Sequence, residues 1–137
     1  MKTVNRLVYA LAGLLLIGGA AWATDYKMQA TSIDPSAQGS VTAVANKGGG
    51  NTTVKVKVEH LGKPTLLTPP ANEYVIWIQP QGQAAHNEGT IRIGEDEKGE
   101  LTMTTTAAQF TVLVTAESDA HPQAPSNRVV LRSAVQE

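Results

Sequence analysis

Short stretches of alternating apolar and polar residues, separated by glycine and proline, dominate this sequence and limit it to a β fold. The clearest is 52–60, in which three valines alternate with threonine, lysine and glutamate. Because successive side chains of a strand point to opposite faces, this pattern indicates one buried and one solvated face. Residues 40–45 alternate in the same way, and a triple glycine at 48–50 lies between the two stretches. The pair predicts a β-hairpin, since glycine supplies the positive φ that a tight loop needs.

The stretch 73–79 is apolar on both faces, which is typical of a strand in the middle of a sheet. Trp77 shares one face with Val75, and Tyr74 lies on the other. We expect another sheet to cover one face and a loop or long side chains to cover the other. Core packing is the expected role of these aromatic residues. A carbohydrate-stacking platform of Trp77, Tyr74 and Phe110 is the alternative.

Further strand patterns lie between turns rich in glycine, proline and acidic residues. These are 26–33, which is the weakest, and then 89–93, 100–106, 110–117 and 128–135. The total of about seven strands predicts an all-β fold, an immunoglobulin-like antiparallel β-sandwich preceded by an N-terminal signal helix. An open barrel is the alternative architecture.

The first 23 residues have the three parts of a secretory signal peptide. Lys2 and Arg6 supply the basic part, residues 7–20 the apolar core, and Ala-Trp-Ala at 21–23 the small-residue site. We expect cleavage after Ala23 and a periplasmic or secreted protein. A retained N-terminal membrane anchor is the alternative, because the apolar run has the length of a short span.

Cleavage there divides the chain into a signal peptide at 1–23, an N-terminal polar segment at 24–39 and a β-sandwich domain at 40–137. Removing Lys2 and Arg6 from the 11 basic residues leaves nine against 12 acidic ones, a formal charge of −3. Without a basic stripe, this balance predicts no nucleic-acid partner and no membrane binding after cleavage. The chain has no cysteine, which excludes disulfides, thiol catalysis and a lipid-modified cysteine.

Four short motifs follow one another in the second half of the chain. They are Tyr-x-x-Trp at 74–77, Gly-Thr-Ile at 89–91, Val-Thr-Ala-Glu at 114–117 and, after a proline-containing loop, Val-Val-Leu at 129–131. From Tyr74 to Leu131 the chain thereby resembles the extracytoplasmic C-terminal domain of anti-sigma-K-type factors. The resemblance implies an envelope domain that senses or binds. Only six residues precede the apolar run, so we expect this domain type without the cytoplasmic sigma-binding segment.

Scattered histidines and methionines are the candidate metal ligands. Imidazole and thioether groups suit copper, so a small periplasmic copper carrier is the alternative function. Its ligands would come from His60, His86, His121, Met28 and Met103. Since no two of them have close ligand spacing, we expect no metal site and no cofactor.

No catalytic motif such as Gly-x-Ser-x-Gly is present, so we expect no catalytic residues and no enzyme. An enzyme whose site is built only by folding is the third hypothesis. The acidic stretch 95–100 lacks the ligand pattern of a calcium loop and is expected to be a solvated hairpin tip. Asn51-Thr52-Thr53 fits a glycosylation sequon.

The sequence therefore predicts a non-enzymatic exported binding module. Its partner is expected to be an envelope protein or a small ligand, recognised by surface complementarity or by strand addition at an open sheet edge. We expect contact through the proline-bearing loops 61–72, 80–88 and 118–127, grouped at one end of the domain.

Overall fold

The computed structural model describes residues 23–46 and 48–136, and almost all of its regular structure is β-strand. The prediction of an all-β fold is confirmed for these residues. The signal peptide and its helix lie outside the described residues, apart from Ala23. One 3₁₀ turn, Pro64–Leu66, lies within the proline-bearing loop 61–72. The eight strands are β1 (Ala23–Ala30), β2 (Gln38–Ala45), β3 (Thr52–Glu59), β4 (Glu73–Pro80), β5 (His86–Ile91), β6 (Gly99–Thr105), β7 (Gln109–Glu117) and β8 (Val129–Gln136).

All eight strands belong to one antiparallel sheet with the order β5-β4-β7-β8-β1-β2-β3-β6. The sheet is nearly closed. Its two edge strands, β5 and β6, are consecutive in the chain, and the end of β5 lies against the start of β6. A Cβ on Gly99 would lie 2.7 Å from the carbonyl oxygen of Arg92 and 3.0 Å from Ile91. Only glycine therefore allows β6 to begin so close to the end of β5.

Strand β1 joins the two halves of the sheet. Residues 23–28 pair with β2, whereas Gln29 and Ala30 pair with β8. The Tyr26 hydroxyl donates a 2.7 Å hydrogen bond to the backbone oxygen of Gln136, which ties β1 to β8 a second time. The segment 24–39, expected to be a polar segment ahead of the domain, thus supplies a strand in the interior of the sheet. That strand begins earlier than the weak pattern at 26–33 indicated.

One hydrophobic core is shared by strands from both halves of the sheet. The alternating valines of β3 are at most 1% exposed, as the period of two predicted. The predicted hairpin is confirmed, since β2 and β3 pair along their full lengths. Tyr74, Ile76 and Ile78 of β4 lie in this core, together with the inward side chains of β7: Phe110, Val112, Val114 and Ala116.

A second, smaller cluster covers the opposite face of β4. It consists of Trp77, Val75 and Leu113, packed against Ala85 and Val129. The prediction of a central strand buried on both faces is confirmed, because β4 lies between β5 and β7. The carbohydrate platform is wrong, since the side chains it requires are buried in these two clusters.

A chain of hydrogen bonds extends from Trp77 along the outer face of β7. The Trp77 Nε1–H donates to Thr115 Oγ1 at 2.7 Å, and the Thr115 hydroxyl donates to Glu117 Oε2 at 2.6 Å. The same carboxylate oxygen accepts the backbone N–H of Ser126 at 2.9 Å. Thr115 is fully buried and Glu117 nearly so. This chain holds the loop 118–128 against the outer face of the sheet.

Replacing Thr115 by valine should destabilise the fold. Thr115→Val keeps the shape of the side chain but leaves the Trp77 N–H and the Glu117 carboxylate without their shared partner. A buried group left unpaired costs about 1–3 kcal/mol, so we expect a loss of about 2 kcal/mol or more in urea unfolding. Thr111→Val is the matched control, because Thr111 lies on the same face of β7 and is half-buried. The control should change the free energy of unfolding by less than about 0.5 kcal/mol, and equal losses for the two variants would contradict the role of the chain.

Candidate functional site

Strands β5 and β6 separate from one another at the end of the sheet that carries Ala23 and Gln136, called here the Ala23 end. The space between them, the β5–β6 cleft, has a volume of about 620 Å³. Beyond the turn Gly94–Lys98, no hydrogen bond joins β5 to β6 within the described ranges. The cleft is lined by Asn51, Ile78, Pro80, Gln83, His86, Asn87, Glu88, Thr104, Thr105, Thr106 and Ala107.

A β-bulge shapes the β5 wall of the cleft. Ile76 of β4 pairs with Gly89, while the next residue, Trp77, pairs with Asn87, so Glu88 is an extra residue without a partner on β4. Gly89 has a φ of 123°, a conformation that suits glycine. The Asn87 side chain fixes the bulge, because its Oδ1 accepts the Gly89 N–H at 2.8 Å. Bulges of this kind bend an edge strand and redirect its side chains.

Glu88 lines the cleft, is half-buried and also borders a shallower groove next to it. Within the part of the chain that the structure describes, its carboxylate has no hydrogen bond and no ion pair within 4 Å. Burial raises the pKa of Glu88 above its ordinary value, and the nearby His86 offsets part of that rise. Its environment therefore disfavours the charged form that Glu88 takes in water.

The β6 wall of the cleft is neutral and polar. It consists of Thr104, Thr105 and Thr106, with Asn51 of the β2–β3 hairpin beside them. Asn51 is held in place by Asn46, whose Nδ2 donates to Asn51 Oδ1 at 2.6 Å. Hydroxyl and amide groups both donate and accept hydrogen bonds, so this wall can pair with the amides of an added chain. Among the described residues, no tryptophan, tyrosine or phenylalanine lines the cleft.

A second groove follows the junction of β1 and β8 on the outside of the sheet. It is larger, at about 740 Å³, and its lining includes Lys27 and Arg132. Hydrogen bonds cross this junction, from the Tyr26 hydroxyl to Gln136 and from the Ser133 hydroxyl to Lys27. The two strands are thus already bonded to each other, whereas the β5–β6 cleft separates two strand edges. The cleft is the better candidate for an interaction site.

The candidate copper ligands are spread over the molecule. Met28 and Met103 lie in the main core. His60 is exposed, with a φ of 54°, just after the end of β3. His86 and His121 line one shallow groove on the outer face of the sheet. Among the described residues, no group of three or more histidine, aspartate or glutamate side chains could hold a metal ion.

The acidic stretch 95–100 forms a solvated turn and the start of β6, but it is not the hairpin tip that was expected, because β5 pairs with β4 and β6 with β3. Its turn is closed by the Gly94 N–H, which donates to the Lys98 carbonyl at 3.0 Å. The Glu95 carboxylate forms a 2.6 Å ion pair with Lys63, which donates to it and holds the pKa of Glu95 below its ordinary value. Glu95 is fully solvated, so this pair contributes little to stability.

The predicted grouping of three contact loops at one end is wrong. Loops 61–72 and 118–127 do meet, since the Asn72 side chain donates to the Ser118 carbonyl and Arg128 donates to the Pro69 carbonyl. Loop 80–88 lies at the Ala23 end instead, because the length of β4 separates it from loop 61–72. Its last residues, 86–88, belong to β5 and form a wall of the cleft.

Sequence reasoning did not identify the cleft. The sequence pattern predicts a strand at the threonines of β6 and a loop at Glu88, and neither prediction indicates a cleft. A signal was present, because glycine within a strand pattern, as at position 89, often marks a bulge. The signal does not show which strand faces β5 across a gap, because that depends on the order of the strands in the sheet.

Comparison with known proteins finds no family model and no curated sequence that matches the chain. Within the described residues, no helix has the length and hydropathy needed to cross a membrane.

The burial of Glu88 predicts a stability that depends on pH. Because its pKa in the folded protein lies above the unfolded value of about 4.5, the ionised side chain costs stability at neutral pH. That cost disappears as pH falls through the raised pKa and below 4.5. Glu88→Gln should therefore be slightly more stable than the unchanged protein at pH 7, by no more than about 0.5 kcal/mol for a partly exposed position. The two should be equal at pH 3.5.

Urea unfolding at a series of pH values measures this difference. Glu100→Gln is the control, because Glu100 is exposed and forms a 3.3 Å ion pair with Lys55. That variant should gain no stability at pH 7. A Glu88→Gln variant that is less stable than the unchanged protein at pH 7 would show that the carboxylate is favourably placed in the folded state.

Proposed function

We propose that this protein is a non-enzymatic, exported binding module with an immunoglobulin-like sandwich fold. Its partner is an envelope protein that contributes an extended segment to the β5–β6 cleft. The observation that carries the proposal is a pair of unpaired strand edges that face each other across a polar cavity of about 620 Å³.

The strand order supports the immunoglobulin-like assignment. Strands β5-β4-β7-β8 follow the order of one sheet of such a domain, and β2-β3-β6 follow the order of the other. The connections β3–β4, β5–β6 and β6–β7 each pass from one set to the other, as in a Greek key. Strand β1 is then an addition that links the two sets along one side and leaves the cleft on the other.

Strand addition is a common way to bind extended peptides at an open sheet edge. Because neighbouring strands alternate in direction around this eight-stranded sheet, β5 and β6 run in opposite directions. A segment inserted between them would be parallel to one edge and antiparallel to the other. The hydroxyl and amide groups of the β6 wall suit the amides of that segment.

The resemblance of 74–131 to an anti-sigma-type envelope domain agrees with a role in binding rather than catalysis. Fold likeness alone does not name a ligand, so the partner is assigned here only by chemistry. No observation favours the copper carrier, since two of its candidate ligands, Met28 and Met103, are packed in the core.

A peptide selection tests the proposal. The exported protein is used to select binders from a phage library of random dodecapeptides, and the tightest is synthesised. Amide hydrogen exchange should slow in β5 and β6 when this peptide binds. Thr104→Trp, which fills the cleft, should weaken binding by about tenfold or more, equal to about 1.4 kcal/mol.

Thr102→Trp is the matched control. Thr102 is exposed on the same face of β6 but does not line the cleft. Its binding should stay within about twofold of the unchanged protein. Protection confined to another surface, full binding by Thr104→Trp, or a selection that yields no binder would each contradict the proposal.

Export is tested separately by N-terminal sequencing of the full chain expressed in a Gram-negative bacterial host. The periplasmic protein should begin at Thr24. Because the cleavage site requires small residues, Ala23→Gln should block processing, whereas Trp22→Gln should not. An unprocessed protein that stays in the membrane fraction would favour the N-terminal anchor instead.

A further inference from the structure

We propose that the segment bound in the β5–β6 cleft carries a lysine or arginine whose cationic group lies against Glu88. This inference rests on the proposed function and names the chemistry of the partner at that site. It follows from the charges that line the cleft and from the way the bulge displays Glu88.

The bulge presents Glu88 to the cleft instead of pairing it in the sheet. Its neighbours in β5 have other partners, since Asn87 donates to the Ala120 carbonyl at 3.1 Å and Gly89 donates to Asn87. Glu88 is half-buried, and no described side chain lies within ion-pair distance of it. A carboxylate in that state is stabilised by a cation that arrives with a ligand.

The rest of the lining carries almost no charge. Within the described residues, His86 is the one other titratable side chain of the cleft, and the opposite wall consists of threonine hydroxyls and the Asn51 amide. Charge complementarity therefore selects a positive group for this position. An acidic side chain would be repelled by Glu88, and a neutral one would leave its carboxylate unpaired.

The shape of the cleft suits a long cationic side chain. Ile78 is buried at its base, and Ala107 lies beside the threonines. The methylene groups of lysine or arginine cover apolar surface of this kind while their charged ends stay near polar groups. Arginine has the further advantage of two parallel N–H groups that match a carboxylate.

The test uses nonapeptide libraries that differ only at the central residue. Each is acetylated and amidated, has flanking positions drawn from alanine, serine, threonine and valine, and has arginine, lysine, norleucine or glutamate at the centre. For the unchanged protein, the arginine and lysine pools should bind about tenfold more tightly than the norleucine pool. Glu88→Gln should reduce that preference to within about twofold, while Glu100→Gln should retain it.

A spectroscopic measurement gives an independent readout. The ¹³C signal of the Glu88 carboxyl group, titrated with and without the arginine pool, should show a lower pKa in the bound protein, because a neighbouring cation favours the charged form. The norleucine pool should not lower it.

The possible results separate this inference from the function it rests on. Equal binding of the norleucine and basic pools at β5 and β6 would overturn the preference for a cation and leave the binding module standing. Failure of every pool to bind would overturn the proposed function. Protection of the β5 and β6 amides by free arginine or spermidine, to the same extent as by the basic pools, would also overturn the inference. The ligand would then be a small amine and not a peptide segment.

Discussion

The burial of β4 on both faces is the constraint on which the rest of the structure depends. Its inner face lies in the main core, but the outer face presents Trp77, which requires a cover of its own. Loop 118–128 lies along that face, and Glu117 holds it by accepting hydrogen bonds from Thr115 and Ser126. The same loop then reaches β5, where the Ala120 carbonyl accepts the Asn87 side chain. The loop that Glu117 holds on the outer face therefore also contacts the bulge.

The bulge explains how the sheet stays open at one end. Strands β5 and β6 are consecutive, antiparallel and close to each other near Gly99, so pairing along their lengths would close the sheet. The extra residue at Glu88 and the positive φ of Gly89 interrupt the edge before that happens. Native proteins use bulges and charged residues to protect sheet edges from uncontrolled pairing. Here a bulge and a charged residue occur at the same position, Glu88. This agrees with a strand edge that pairs only with selected partners.

Much of the fold was predictable because alternation is a local property. The spacing of the valines in β3 and of the apolar residues in β4 indicates directly which faces of these strands are buried. Residues 24–39 were harder, since β1 has only one buried residue, Met28, and so gives almost no periodic signal. The three-loop surface was misplaced because loop composition indicates exposure and does not specify the end of the sheet at which a loop lies.

The sequence by itself determined that the described chain is built of β-strands, where most of them lie and which side chains enter the core. These properties follow from spacing along the chain and from glycine and proline between the strands. Only the tertiary structure decided that β5 and β6 face each other, that β1 joins two halves, and that Glu88 lies opposite three threonines. Those relations depend on which strands are neighbours, and strand order arises from long-range pairing that no local pattern encodes.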